Sequence, residues 1–407
     1  MTHSFDVIVV GGGASGFFTA INLAEQRPDL KIVILERGKE VLGKVKISGG
    51  GRCNVTHACF VPNVLAKYYP RGERELKGPF HTFSTGDVMQ WFDDRNVELK
   101  IEDDGRVFPV TDDSQTIIDC MVDEAKMLHV KVNTQTVVQN INKENSRWQI
   151  ATNNDKYEAK YLILAAGSST KMWDICKELG HSIVPPVPSL FTFNIKDERL
   201  KDLMGISAPM VNVKVKNSNL KANGPILITH WGLSGPAILR LSAWGARELF
   251  SKNYQFELVV NWTHEFVFDE VLEELLENKI NSPKKTISKH SHYQLTHRLW
   301  AQLVKAANIP EEMAWSDVSK KQLVKLAEQL TQCTFQVNGK STFKEEFVTA
   351  GGIELKEVNF KTMESKVLEN LYFTGEILNI DAITGGFNFQ NAWTTGFLAA
   401  KAIAEKS

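Results

Sequence analysis

The sequence is short of the features that mark several large protein classes. Its five cysteines, Cys53, Cys59, Cys120, Cys176 and Cys333, are an odd number with no C-x-x-C pair. That fits neither a secreted disulfide framework nor a zinc site, so no metal is expected and the thiols point to a reducing, cytoplasmic setting. No run of about 18 uncharged apolar residues occurs, and the apolar opening of residues 7–10 carries Asp6 with no basic leader. Neither a membrane span nor a signal peptide is expected. Charge of one sign is also missing: Lys plus Arg number 47 against 48 Asp plus Glu. So even a balance creates no global field for a polyanion or an anionic membrane. The expected partner is a small molecule, not a nucleic acid or a membrane, and the sequence sets no oligomeric state.

What is present is an ordinary globular composition, 43% apolar and 23% charged over 407 residues, long enough for about two to three domains. The run Phe5-Asp6-Val7-Ile8-Val9-Val10 stops at Gly11-Gly12-Gly13, and helix-period apolar residues follow from Ala14 to Glu25. Strand, tight turn and helix are the natural reading. A second buried-type strand, Lys31 to Glu36, completes one βαβ unit. Further helix and strand patterns to about residue 165 extend an α/β layer domain.

Val184-Pro185-Pro186-Val187-Pro188 changes the texture. Alternating stretches then predict antiparallel strands over about 189–262, and helical spacing follows over about 263–343. The expected layout is a discontinuous α/β domain, 1–188 with 344–407, carrying an inserted domain at 189–343.

Gly11-x-Gly13-x-x-Gly16 follows a strand and opens a helix, and Glu36 ends the next strand. Gly11 permits the turn, Gly13 lets backbone approach a pyrophosphate, and Gly16 lets the helix pack on the strand. The helix N-terminus offers unpaired N–H groups to the anion. Glu36 would accept the ribose hydroxyls of an adenosine. With no second such motif to suggest a separate nicotinamide domain, FAD is the expected cofactor.

The segment Lys44-Val45-Lys46-Ile47-Ser48-Gly49-Gly50-Gly51-Arg52-Cys53-Asn54-Val55-Thr56 is a further motif. It is joined by Thr229-His230-Trp231-Gly232-Leu233-Ser234-Gly235, Thr349-Ala350-Gly351-Gly352, Gly375-Glu376 and Gly385-Gly386-Phe387-Asn388-Phe389-Gln390. In these motifs, and over essentially the whole chain, the sequence resembles the bacterial YhiN/BaiN-like flavoproteins, a family that includes proteins called aminoacetone oxidases. The resemblance implies an FAD-binding Rossmann-like fold of the two-dinucleotide-binding-domain type, with an inserted β-barrel-like and helical domain and non-covalent FAD. It implies cofactor contacts from Gly12, Ala14, Ser15, Arg37, Lys44, Ser48, Cys53, Val138, Ala166, Gly167, Gly375 and Phe389 beside the residues argued above. This chain departs from the family pattern at Leu42-Gly43-Lys44, at Ala165-Ala166-Gly167-Ser168 and at Asn379 after Gly375-Glu376.

Elementary chemistry gives the motif residues their expected roles. Gly49, Gly50 and Gly51 let backbone lie flat against a planar ring, while Arg52 and Asn54 add donors for pyrophosphate or ring carbonyls. Glu376 is placed to accept from a ribitol hydroxyl. Gly385, Gly386 and Asn388 precede a helix whose positive end would face the flavin N1/C2=O edge. Cys53 is either a small buried thiol or a redox group activated by Arg52 and Lys46. His230 is either a proton donor to substrate or a hydrogen-bonded structural residue. The expected activity is that of an FAD-dependent oxidoreductase exchanging a hydride at flavin N5. Its substrate would be a small amine or ketone to oxidise or a conjugated ketone to reduce, with NAD(P)H a candidate electron donor. The alternatives are a non-enzymatic flavoprotein and a flavin-dependent RNA modification enzyme, the latter set against the even charge.

Overall fold

The computed structural model describes residues 2–341 and 348–406. The chain divides into two units, Met1–Val187 with Lys344–Ser407, and Pro188–Phe343. The domain join expected at 343/344 lies outside the described residues.

The first unit is built on a seven-stranded sheet in the order Val358–Asn359, Glu364–Ser365, Leu371–Phe373, Tyr161–Leu164, Val7–Val10, Ile32–Leu35, Lys131–Asn133. The last five run parallel, and the strands Val7–Val10, Ile32–Leu35 and Tyr161–Leu164 are buried at every residue. A parallel sheet covered on both faces needs such continuous apolar runs. The helices Ala14–Gln26 and Phe387–Lys406 pack against each other. Their closest approach passes through small residues: a Cβ on Gly396 would lie 2.9 Å from Thr19 Oγ1 and 3.2 Å from the Ser15 carbonyl oxygen. Smaller sheets complete the unit, one of four strands and one of three, together with a pair formed by Ile183–Ser189 and Val348–Ile353. The strands by which the chain leaves and re-enters this unit therefore lie side by side.

The second unit holds a seven-stranded sheet in the order Cys333–Asn338, Gln255–Asn261, Ser207–Val215, Lys221–Thr229, Gly232–Ser234, Thr192–Asn194, Lys340–Ser341. Its first and last strands are consecutive in sequence, joined by Gly339 alone. The Gly339 N–H donates to the Tyr254 carbonyl at 2.9 Å, and its own carbonyl accepts from the Asn194 N–H at 3.0 Å. The run 333–341 thus pairs with Gln255–Asn261 on one side and Thr192–Asn194 on the other, and the sheet closes on itself as a barrel, leaving no free edge there.

The helices Phe268–Asn281, His297–Ala306 and Lys320–Thr331 share one apolar core with the barrel, where Phe193, Leu258 and Trp262 meet Trp300, Leu323 and Phe335. Two differences from the sequence reading stand out. The stretch expected as strands also contains the helices Pro236–Trp244 and Ala246–Ser251. The stretch expected to be helical ends in the barrel strand Cys333–Asn338, where Cys333, Phe335 and Val337 alternate inward. That period of two follows a helix with no glycine or proline between them, so no break in the sequence announces the change.

Candidate functional site

The first unit gathers the dinucleotide turn, the glycine-rich segment and the two C-terminal motifs. Of the three motif glycines, two are demanded by the protein's own backbone. A Cβ on Gly11 would collide with the Ala165 carbonyl, and one on Gly16 with the Gly11 carbonyl. Gly13 is different: its φ of −90° suits any residue, and a Cβ there would meet nothing within 4 Å. Open space beside Gly13 at a helix N-terminus without a side-chain cap is the cradle that a pyrophosphate needs.

Glu36 stands beside this turn. Its Oε2 accepts the Gly12 N–H and its Oε1 the Gly38 N–H, both at 2.7 Å. Each carboxylate oxygen keeps a further lone pair for a ribose hydroxyl. The backbone of Glu36 is tied to Asn133 and Thr136, two to five residues before buried Val138. Arg37 is exposed beside it. The residues present therefore fit an adenosine diphosphate moiety.

The glycine segment is a helix only in part. Gly43–Gly51 breaks at Ser48, whose hydroxyl donates to the Val45 carbonyl at 2.9 Å. Gly49, Gly50 and Gly51 then take φ of 59°, 70° and 88° in succession, a conformation that side chains rarely adopt. A Cβ on Gly49 would meet Phe108 at 2.9 Å, whereas Gly50 and Gly51 face open space.

The motif on the far side of the sheet reaches back to the turn. Gly375 lies against Ser15, 2.9 Å from where its Cβ would stand, and its N–H donates to Thr395 Oγ1 at 2.9 Å. Glu376 is ion-paired with Lys44 and accepts the Thr349 N–H at 3.3 Å. Gly167, with φ 58°, approaches the same carboxylate, and Ala166 faces Gly11. Ala14, Ser15, Lys44, Gly167, Gly375 and Glu376 thus converge on one turn from four stretches of sequence.

Other site residues take places that sequence did not assign. The Arg52 guanidinium donates to Glu102 at 2.6 Å and Asp112 at 3.3 Å and stacks over Phe108 at 3.9 Å. Two carboxylates on the neighbouring hairpin hold its Nη1, which leaves the Nε and Nη2 hydrogens as the donors it can offer elsewhere. Asn54, in the amide orientation that satisfies both neighbours, donates to the Thr56 carbonyl at 2.9 Å and accepts the Gly386 N–H at 3.0 Å. Gly386 therefore docks on the glycine segment, and a Cβ on it would meet the Thr56 carbonyl at 2.5 Å. The Asn388 side chain accepts from the Ala382 N–H at 3.0 Å. Phe389 stacks on Trp393, so both brace the helix start.

Burial pushes the Cys53 thiol up to about 12 despite its basic neighbours, which leaves the inert reading. His230 lies in the second unit, exposed on the turn between Lys221–Thr229 and Gly232–Ser234, with its ring edge-on to Trp231. Among the described residues it has no hydrogen-bond partner, so the hydrogen-bonded structural role is not found.

Contacts that lock the site from behind are harder to see in sequence. Thr56 Oγ1 bonds Gln390 Oε1 at 2.5 Å, Gln390 passes the chain on to Thr394, and the Trp393 Nε1–H donates to the Val55 carbonyl. These tie the start of the helix Phe387–Lys406 to the strand after the glycines. Asp381, fully buried, takes a bidentate ion pair from Arg71. A lone carboxylate between Ile380 and Ile383, in an otherwise apolar run, was the available signal for it.

A turn with open space for a pyrophosphate, an acid with lone pairs left for a ribose and a glycine-rich segment beside them fit an FAD-binding protein of the Rossmann type. The chain belongs to the family described as HI0933-like protein Rossmann domain, whose model matches residues 5–402. It is 26% identical to a ribosomal RNA dihydrouridine synthase of Haemophilus influenzae, covering 100% of both chains. It is 28% identical to one of Escherichia coli over 99% of both. A 3-dehydro-bile acid delta(4,6)-reductase of Clostridium scindens is 24% identical over 98% of both.

Among solved structures, a 3-ketosteroid-delta4-(5alpha)-dehydrogenase of Rhodococcus jostii matches 99% of this chain and 97% of its own, with 14% identity and a TM-score of 0.54. A quinol fumarate reductase subunit of Escherichia coli matches 100% of this chain and 71% of its own, at 12% identity and a TM-score of 0.52. Both likenesses are of fold. The chain is an FAD-dependent oxidoreductase. Its even net charge does not exclude nucleic acid, because a whole-chain balance averages over local clusters, and two full-length relatives are named for RNA. No described helix is long and apolar enough to cross a membrane.

Proposed function

We propose that this enzyme is a reductase that adds a hydride and a proton across a carbon–carbon double bond conjugated to a carbonyl, with reduced nicotinamide as electron donor. The observation that carries this reading is the pair of chemistries named for its full-length relatives. A dihydrouridine synthase and a 3-dehydro-delta(4,6)-reductase both saturate such a bond. A uracil ring and a small unsaturated ketone present the same group, a carbon made electrophilic by the carbonyl beyond it. Uridine in RNA is the reading favoured by two of those relatives, and a small ketone by the third. Five free thiols support a reducing, cytoplasmic setting.

Bound FAD supplies reversible two-electron hydride chemistry at N5. This chain's residues do the rest. The N–H groups at the start of Ala14–Gln26 would hold the pyrophosphate, and Glu36 would hold the adenosine ribose. Glu376, kept in place by Lys44, would receive a ribitol hydroxyl. The N–H groups at the start of Phe387–Lys406 would stabilise the negative charge that a bound flavin gains on reduction. His230 is the candidate proton donor.

The test is anaerobic. The holoenzyme is reduced with one equivalent of NADH or NADPH and then mixed with unsaturated ketones, saturated amines or deproteinised ribosomal RNA. Return of oxidised flavin with one saturated bond formed per flavin supports the reading. Flavin that only oxygen reoxidises would overturn it.

A further inference from the structure

Outside the dinucleotide turn, the first unit carries a groove of about 780 Å³ that nothing above uses. Four lysines, Lys39, Lys46, Lys126 and Lys131, line it, against the single carboxylate of Glu40. Lys46 takes up that carboxylate at 3.3 Å. Among the described residues, Lys39, Lys126 and Lys131 have no ion pair. They come from three separate elements: the loop after Glu36, the helix Gln115–Met127 and the strand Lys131–Asn133. Gathering like charges costs free energy unless an anion answers them. In a chain of net charge −1, this convergence is a local departure. The floor is apolar, formed by Phe17, Ile118 and Val130, and suits a sugar or base between charged contacts. None of Gly11 to Gly16 lines the groove, nor does Glu36, so the phosphates of FAD already have their own seat. Residues 39–46 form one wall of the groove and run on from the ribose-binding Glu36.

We infer that this groove binds the phosphodiester backbone of an RNA substrate, with Lys39, Lys126 and Lys131 as its phosphate contacts. The inference rests on the uridine form of the proposed function and adds a surface to it. Each phosphate neutralised on a single strand contributes about 0.7 to the slope of log affinity against log salt.

The experiment uses FAD-loaded enzyme and a fluorescein-labelled, uridine-containing single-stranded fragment of ribosomal RNA, titrated by anisotropy at several salt concentrations. The parent is compared with Lys39→Gln/Lys126→Gln/Lys131→Gln and with the matching triple arginine variant. The glutamine triple is expected to show a slope shallower by about 2 and an affinity at least about tenfold weaker near 0.1 M salt. The arginine triple should keep the parent values. FAD content and the rate of flavin reduction by NAD(P)H should not move in either. RNA binding by the parent with an unchanged slope in the glutamine triple overturns the groove alone. A parent that binds no RNA at any salt but is reoxidised by an unsaturated ketone overturns the uridine reading and the groove together.

Discussion

At the scale of single residues, the glycine turn separates what the fold needs from what the cofactor needs. Gly16→Ala would drive a methyl into the Gly11 carbonyl, so its expected effect is lost stability. A Cβ at position 13 meets no protein atom, so Gly13→Val should fold with a near-parent melting temperature and purify colourless, because the branched side chain would fill the space expected to take the pyrophosphate. Circular dichroism and flavin absorbance on the same sample check both statements. Cys53, pushed up to about 12 by burial, should escape alkylation by iodoacetamide at neutral pH in the folded enzyme. A carbamidomethyl group on Cys53, found by peptide mass mapping, would contradict that.

His57 illustrates a pH effect with a definite sign. Burial lowers its pKa from 6.5, only partly offset by its contact with the Gly385 carbonyl. The folded state therefore binds fewer protons than the unfolded chain. The stability this contributes is present above about pH 6.5 and is lost as pH falls through the lowered value. His57→Asn should flatten the decline in unfolding free energy between about pH 7 and about pH 5. His230→Ala should leave FAD content intact and slow substrate-dependent flavin reoxidation by about 10²–10⁴-fold, the usual weight of a general acid.

Elements show why some of this was legible and some was not. The strands Val7–Val10 and Ile32–Leu35 can be read from sequence because they are wholly buried and built of β-branched residues and leucine. Their signal needs no tertiary context, and the turn between them carries its own glycines. The helix start at Phe387 is readable from Gly385-Gly386. What is not readable is that Gly386 spends its N–H on Asn54, because that contact spans 332 positions of sequence. The Arg52 ion pairs are hidden for the same reason: its carboxylate partners arrive on a hairpin some 50 to 60 residues later. The buried Arg71–Asp381 pair holds the loop that leads into this helix. Asp381→Asn leaves a mostly buried guanidinium without its counter-charge and should cost about 3–5 kcal/mol, measured by urea unfolding. A change within about 0.5 kcal/mol, the range of ordinary surface substitutions, would contradict the structural weight given to the pair.

For the whole molecule, a change of texture at Pro185-Pro186 is visible in the residues themselves, whereas a barrel is expected only through the family resemblance and not from any local pattern. Closure comes from the run 333–341 pairing with Gln255–Asn261 and with Thr192–Asn194, a relation between distant strands that no local pattern encodes. Net charge is blind in a comparable way: 47 cations and 48 anions say nothing of where four lysines gather. Every residue assigned to hold FAD belongs to the unit Met1–Val187 with Lys344–Ser407. The most direct measurement is therefore of the cofactor itself: the flavin released by heat from purified enzyme, resolved by chromatography, for the parent and for Gly13→Val. Stoichiometric FAD from the parent and none from the variant is the expected result. FMN from the parent, or equal FAD from both proteins, would contradict the assignment of the Gly11–Gly16 turn and Glu36 as the dinucleotide site.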